Sequence, residues 1–161
     1  MLRILAAFIF FTRLPFWRLA EVPSEYFKNV VSRWALVGWL TAGLSVIVLY
    51  TASLILPASV AVLLAIVTRL LITGCLHEDG LADFFDGFGG GTSRERILSI
   101  MKDSHIGSYG VIGLILYFAL LYTLLSSLPL TLAGSAILAG DPFSKGVAGM
   151  IINRLPLSLI H

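Results

Sequence analysis

Two long stretches of the chain, residues 34–68 and 104–140, contain no charged side chain. A bilayer's hydrocarbon core takes roughly 20 apolar helical residues to cross, so each stretch exceeds one span. Pro57 and Pro129 interrupt the two stretches, and a proline cannot continue the helical hydrogen-bond ladder. The pattern therefore predicts two helical hairpins, whose four spans cover residues 34–56, 58–76, 106–128 and 130–152.

A shorter apolar run, residues 4–11, follows Arg3 near the start of the chain. Eight residues are too few to span a bilayer, and the run lacks the small-residue cleavage pattern of a secretory signal. We expect a retained interfacial or re-entrant helix here.

Composition supports a membrane protein over a soluble one. Hydrophobic residues make up 58% of the chain and charged residues 12%, against roughly 45–50% and 25% in soluble domains. A net charge of +2 without a dense basic run argues against nucleic-acid binding, and one cysteine cannot form an internal disulfide. The expected fold is an all-α, polytopic transmembrane helical bundle of about four spans plus the N-terminal helix, in a single domain over residues 1–161.

The basic residues outside the predicted spans fall in three segments, which four spans would place on one side of the membrane. They are Arg3, Arg13, Arg18, Lys28 and Arg33 before the first span, Arg94, Arg96 and Lys102 between the hairpins, and Arg154 after the last. By the positive-inside rule, that side is the cytoplasm. We therefore expect both termini and the central segment to face the cytoplasm.

The central segment concentrates the acidic residues: six of the nine lie between Glu78 and Asp103. If residues 78–87 are helical, an advance of about 100° per residue places Asp79, Asp83 and Asp86 within roughly 60° on one face. A divalent cation would offset their repulsion, and carboxylate oxygens favour Mg²⁺ or Mn²⁺. In the alternative interpretation, the three aspartates only cap and solvate a loop between spans.

Other polar residues of the segment allow two interpretations each. Glu78 lies about 100° around the helix from Asp79 and is a candidate base, while His77 is structural or contacts substrate. Glycines at 87, 89, 90 and 91 predict a flexible loop that could approach phosphate, and Arg94 and Arg96 would then grip anionic oxygens. Alternatively, the two arginines belong to a solvated helix start capped by Ser93.

The remaining candidates lie at or within the third, second and fourth spans. Lys102, Asp103, Ser104 and His105 form either a functional group at the mouth of the third span or an interfacial cluster. Gly107 and Gly110 provide a small-residue face for helix packing.

Arg69 lies within the second span and either snorkels outward or reaches the carboxylates. Asp141 and Lys145 can pair at i,i+4 in the fourth span, as a functional site or a structural ion pair. Asp141-Pro142 also predicts that a helix breaks and restarts there.

Three motifs together resemble the cobalamin 5′-phosphate synthase family, also called adenosylcobinamide-GDP ribazoletransferases. They are residues 11–15 (Phe-Thr-Arg-Leu-Pro), 74–87 (Gly-Cys-Leu-His-Glu-Asp-Gly-Leu-Ala-Asp-Phe-Phe-Asp-Gly) and 101–110 (Met-Lys-Asp-Ser-His-Ile-Gly-Ser-Tyr-Gly). The resemblance implies a Mg²⁺-dependent enzyme of the cytoplasmic (inner) membrane. Its substrates would be adenosylcobinamide-GDP and α-ribazole or its 5′-phosphate, and its products adenosylcobalamin or its 5′-phosphate plus GMP.

The resemblance and the residues together suggest a mechanism. Asp79, Asp83 and Asp86 would hold Mg²⁺ against the pyrophosphate, and Glu78 or His105 would accept the proton of the attacking ribose hydroxyl. The substrate-binding candidates are His77, Arg94, Arg96, Lys102, Asp103 and Ser104. Family members continue with further spans beyond the region matching Asp141 to Arg154, so we expect the domain to be incomplete at its C-terminal end. A partner or a second copy would then cover apolar surface.

Three other functions fit parts of the pattern. CDP-alcohol phosphotransferases also place metal-binding aspartates on membrane helices, but with a different spacing from Asp79-Gly80-Leu81-Ala82-Asp83. A small cation carrier would use the acidic cluster as a transport site with Asp141 as a relay, although the carboxylates fall between predicted spans. The third alternative is a purely structural membrane subunit.

Overall fold

The computed structural model describes residues 1–154, and every regular element in them is helical. Two short 3₁₀ segments, Phe16–Arg18 and Ser24–Arg33, precede the second α-helix; we call Ser24–Arg33 the linking segment. The α-helices are α1 (Leu2–Phe11), α2 (Trp34–Ser53), α3 (Ala58–Thr73), α4 (Leu76–Gly90), α5 (Arg94–Met101), α6 (Ser108–Ser127) and α7 (Leu130–Arg154). The all-α prediction is confirmed.

The described chain forms two compact units. Among the described residues, the first contains 1–74 and 125–154, and the second contains 75–124. The prediction of one transmembrane domain over 1–161 stays a prediction, and its last seven residues lie outside the described part.

Helix α2 is the centre of the first unit and packs against both α3 and α7. The α2–α7 contact is very close at Gly38, where an added Cβ would lie 2.5 Å from Pro142 Cα. Helix α7 runs unbroken through Pro142, so the predicted break at Asp141-Pro142 is wrong. Membrane helices tolerate an internal proline when neighbouring groups satisfy the freed backbone, and the buried Pro142 ring packs where α2 has no side chain.

The N-terminal helix α1 packs against the linking segment and α2. Their contact buries Ala6, Ala7, Phe11 and Val37, and the Phe11 ring stacks on Trp34 at a centroid distance of 5.0 Å. With ten residues, α1 is too short to cross a bilayer. The prediction of a short apolar N-terminal helix is confirmed.

Four α-helices, α2, α3, α6 and α7, correspond to the four predicted spans. By length and hydropathy, two helices of the described chain can cross a membrane alone, Ser24–Ser53 and Ser108–Ser127. The helices α3 and α4 meet the criterion only as a bent pair, which would make a third span. Helix α7 is longer than α6 but is not among these candidates. The criterion therefore supports two or three of the four predicted spans.

Two consecutive residues with left-handed backbone separate α3 from α4. Gly74 has φ +63° and Cys75 has φ +60°. Glycine adopts this conformation without a steric penalty, whereas a residue with a Cβ does so at roughly 1–2 kcal/mol. The second predicted span therefore ends at Thr73, and the acidic motif begins a new helix.

Candidate functional site

The acidic motif of the sequence lies on α4, which extends the predicted helix 78–87 at both ends. The helix begins at Leu76, and the Asp79 N–H donates to the Cys75 carbonyl at 2.9 Å. Glu78 and Asp79 occupy the first turn, where negative charge is favoured by the helix dipole. Glu78 is buried, with 5% of its surface exposed, whereas Asp79 is exposed and Asp83 is partly buried.

Asp86 joins α4 to the start of α6. Its two carboxylate oxygens accept the backbone N–H groups of Gly107, at 2.7 Å, and Gly110, at 2.8 Å. These N–H groups belong to the first turn of α6 and the residue preceding it, where helical donors have no partner within the helix. Asp86 is 8% exposed, so these two backbone donors take the place of most of the water around its carboxylate. Gly107 and Gly110 confirm the predicted packing face, because a Cβ at either position would collide with the Asp86 carboxylate.

The three aspartates share a face of α4 but do not form one cluster. A rise of 1.5 Å per residue spreads Asp79 and Asp86 about 10 Å along the axis, and Asp86 is turned to α6. Among the described residues, no three His, Cys, Asp or Glu side chains are grouped closely enough to hold a metal ion. Asp79 and Asp83 remain as an i,i+4 pair, and one or two carboxylates with waters and phosphates is the usual protein share of a Mg²⁺ site.

The predicted glycine loop is wrong, because Gly87, Gly89 and Gly90 belong to α4. Neighbouring side chains explain the glycines: an added Cβ would collide with Met101 at Gly87 and with Tyr109 at Gly89. Of the four glycines, only Gly91 lies outside α4: it follows the last helical residue and has an extended backbone. The glycines serve close packing of α5 and α6 on α4.

Helix α5 begins as the capping interpretation predicts. The Ser93 hydroxyl accepts the Arg96 N–H at 3.2 Å, which satisfies one of the free donors of the first turn. Arg94 and Arg96 are exposed. Their contact with substrate phosphate stays a prediction, as does that of the exposed Lys102 and Ser104.

Asp103 and His105 form an exposed pair immediately before α6. The Asp103 Oδ1 lies 2.6 Å from His105 Nδ1 and accepts the His105 backbone N–H at 3.1 Å. This hydrogen bond raises the pKa of His105 above its usual 6.5 and lowers that of Asp103 below 3.8. Because Asp103 holds Nδ1, the Nε2 atom is the one that can accept a proton from another group.

His77 and Glu78 occupy the first turn of α4. His77 is partly buried and Glu78 is buried. Their proposed roles, contact with substrate for His77 and proton acceptance for Glu78, stay predictions. Burial distinguishes Glu78 from the exposed carboxylate of Asp79 beside it.

The first unit contains the buried ion pair predicted in the fourth span. Lys145 and Asp141 pair at i,i+4 on α7 with side chains 4% and 8% exposed, and the Thr41 hydroxyl of α2 donates to Asp141. The pairing is confirmed, and Thr41 is a partner that the sequence pattern did not indicate. Arg69 is partly buried on α3, and its predicted reach toward the carboxylates stays a prediction.

The Thr-Arg-Leu-Pro motif connects α1 to the end of α3. The Arg13 N–H donates to the Ile72 carbonyl at 2.7 Å, and the Arg13 side chain covers Gly74, where a Cβ would lie 2.8 Å from Arg13 Cγ. The Thr12 hydroxyl, at the C-terminal end of α1, donates to the Phe8 carbonyl at 2.7 Å. These local hydrogen bonds and contacts give the motif a structural role next to the left-handed turn.

Comparisons with known proteins agree on one family. A family model described as cobalamin-5-phosphate synthase matches residues 3–158. The chain is 47% identical over 151 residues to a protein of Shewanella putrefaciens and 46% identical over 151 residues to one of Shewanella baltica; both are named adenosylcobinamide-GDP ribazoletransferase. A protein of the same name from Shewanella oneidensis is 44% identical over 146 residues.

These alignments cover 92%, 92% and 89% of this chain but 58%, 58% and 56% of the relatives. The chain thus spans less than two thirds of the length of these relatives. No solved structure matches it. Because the family model covers nearly the whole chain and includes α4 and the start of α6, the chain belongs to the cobalamin-5-phosphate synthase family.

Proposed function

We propose that this chain carries the phosphotransfer site of an adenosylcobinamide-GDP ribazoletransferase. It would join adenosylcobinamide-GDP to α-ribazole, or to α-ribazole 5′-phosphate, and release GMP. The observation that supports this most is α4 itself, which presents Asp79 and Asp83 while its buried Asp86 is hydrogen-bonded to the start of α6. The names of the relatives supply the identity of the substrates.

In the reaction, a ribose hydroxyl oxygen of α-ribazole attacks the phosphorus attached to cobinamide. A new P–O bond forms, the bond from that phosphorus to the bridging oxygen breaks, and GMP leaves with the bridging oxygen. The hydroxyl proton passes to a base, for which His105 Nε2 and the Glu78 carboxylate are the candidates. Asp103 would orient His105 through its contact with Nδ1.

We propose that Asp79 and Asp83 hold Mg²⁺, which would neutralise charge on the diphosphate as it is cleaved. The donor set fits this ion: Asp79 and Asp83 are carboxylates one helical turn apart, the first exposed and the second partly buried. Mg²⁺ usually takes its remaining ligands from waters and substrate phosphates. Asp86 is assigned instead to positioning, because both its oxygens already accept N–H groups. Arg94, Arg96 and Lys102 are exposed cations that would contact phosphate oxygens.

We also propose that the site faces the cytoplasm of the inner membrane, which the arrangement of basic residues supports. The family match favours this transferase over a CDP-alcohol phosphotransferase or a cation carrier.

The test is GMP release from adenosylcobinamide-GDP and α-ribazole by the protein reconstituted in lipid. Asp79→Asn should reduce turnover at least 100-fold, because transition-state charge stabilisation of this kind is typically that large. Glu95→Gln is the matched control: it removes an acidic charge from the exposed start of α5 and should leave turnover unchanged. Wild-type turnover in Asp79→Asn would remove the metal assignment, and release of CMP from a CDP-alcohol would replace the proposed substrate.

A further inference from the structure

A groove lies between the start of α1 and the linking segment; we call it the N-terminal groove. Its polar part has a volume of about 280 Å³ and is lined by Arg3, Glu25, Tyr26, Asn29 and Arg33. An apolar part of about 410 Å³ is lined by Met1, Leu2 and Ile4 and shares Arg3, Tyr26 and Arg33 with the polar part. The two parts therefore form one amphipathic groove.

The polar part is suited to an anion. Within residues 1–154, neither Arg3 nor Arg33 is paired with a carboxylate, and the Arg33 guanidinium donates to the Ser32 hydroxyl at 2.9 Å. A guanidinium presents five N–H donors in a planar fork that matches phosphate oxygens. The two arginines outweigh the single carboxylate of Glu25, and both have N–H donors left for a ligand.

The apolar part indicates a ligand that carries hydrocarbon. Met1 is 98% exposed and Ile4 40% exposed, so both can cover an acyl chain that continues from the polar part. A free phosphate ion would use only the polar part.

The position of the groove supports the same ligand. The linking segment and α2 together form the candidate span Ser24–Ser53, and Glu25, Tyr26, Asn29 and Arg33 all lie in the first third of it. The end of a span lies at the level of the lipid headgroups. Anionic headgroups attract basic side chains at this level, by an amount equivalent to about fivefold in affinity for each.

We propose that the N-terminal groove binds the phosphate of an anionic phospholipid through Arg3 and Arg33, with an acyl chain along Met1, Leu2 and Ile4. The lipid would hold α1 against the membrane surface. The proposal concerns the first unit only and does not depend on the transferase reaction.

The test compares lipid retention by the purified 161-residue chain in a neutral detergent, measured by native mass spectrometry. The probes are phosphatidylglycerol and, as the neutral comparison, phosphatidylcholine. Arg3→Gln with Arg33→Gln should reduce retained phosphatidylglycerol about 25-fold, from fivefold for each arginine. Arg18→Gln removes an exposed arginine that does not line the groove, and it should leave retention unchanged.

The outcomes separate the possible sources of phosphate. Selective retention of phosphatidylglycerol that is lost only in the groove variant supports the proposal. If the double variant does not fold, Arg3→Glu alone provides the test. A loss of about fivefold in Arg18→Gln, the same as for each groove arginine, would overturn it, because retention would then follow net charge. Displacement of the lipid by millimolar inorganic phosphate would overturn the lipid assignment and leave a site for free phosphate.

Discussion

The Asp86 carboxylate of α4 accepts the backbone N–H of Gly110 in the first turn of α6 at 2.8 Å. The close approach is possible because Gly110 has no Cβ, which would collide with Asp86 Oδ2. The same carboxylate accepts the Gly107 N–H. One buried side chain therefore determines where α6 begins relative to the acidic helix.

Asp86→Asn should destabilise the protein by about 1–3 kcal/mol, because the amide lacks the charge and its NH₂ group cannot accept an N–H. The free energy of unfolding can be measured by denaturant titration in detergent. Asp79→Asn is the matched control on the same helix, since Asp79 is exposed, and should change stability by less than about 0.5 kcal/mol. Equal effects would contradict the assignment of Asp86 as the side chain that joins the helices.

Gly110→Ala should destabilise the protein by about 1–3 kcal/mol, since its Cβ would overlap the Asp86 carboxylate and lie 3.1 Å from the Ala82 carbonyl oxygen. Gly80→Ala provides the contrast, because a Cβ there meets nothing within 4 Å. Alanine is a better helix former than glycine by about 1 kcal/mol, so Gly80→Ala should be neutral or stabilising. Thermal unfolding of the two variants measures the difference, and a destabilising Gly80→Ala would contradict the open space on that side of α4.

Asp103→Asn should lower the pKa of His105, because Asp103 raises it through a hydrogen bond and its charge. NMR titration of the histidine ring measures this shift directly. If His105 accepts the proton in the proposed reaction, the acidic limb of the pH dependence of kcat/KM for GMP release should move to lower pH with it. A limb that stays in place while the NMR pKa falls would exclude His105 as the base.

The same pair gives a pH dependence of stability with a defined sign. The raised pKa of His105 favours the folded state below pH 6.5, and this contribution is lost as the pH rises through the raised value. The lowered pKa of Asp103 favours the folded state above pH 3.8 and loses its effect as the pH falls. The interaction is therefore strongest between these limits, and Asp103→Asn should lower the free energy of unfolding between them and remove the decline on either side.

Asp141→Asn should destabilise the protein by about 3–5 kcal/mol, because it leaves the buried Lys145 beside an uncharged amide. Thr41→Val removes only the neutral donor to Asp141 and should cost about 0.5–1.5 kcal/mol. Unfolding measurements on the two single variants and the double variant test whether the groups act together. Additive effects would contradict a shared contact at Asp141.

The helix bounds follow closely from the sequence because apolar runs and prolines act locally. The predicted spans 58–76 and 130–152 differ by no more than three residues from α3 and α7. The acidic helix is predicted equally well, since Asp79, Asp83 and Asp86 recur at helical spacing. Family membership also follows from the motifs, which the family match confirms.

The site itself is predicted less well, because its contacts involve residues distant in sequence. The helical angle shows that the aspartates share a face, but it does not show how far apart they lie along the helix axis. Asp86 also forms hydrogen bonds to residues more than twenty positions later in the sequence. Glycines 87, 89 and 90 indicate a loop when read alone, yet all three belong to α4, and side chains of α5 and α6 leave no room for a Cβ at Gly87 and Gly89. Arg13 likewise meets Ile72 only in the folded chain.

Cys75 is the single cysteine of the sequence, and it is exposed at the left-handed turn before α4. A thiol-reactive fluorophore would therefore label the protein at one defined position without any engineered substitution. The dye would lie one helical turn from Asp79, so a change in its emission would test the proposed binding of Mg²⁺ and nucleotide at the acidic helix. The native chain thus supplies its own attachment point for equilibrium binding measurements.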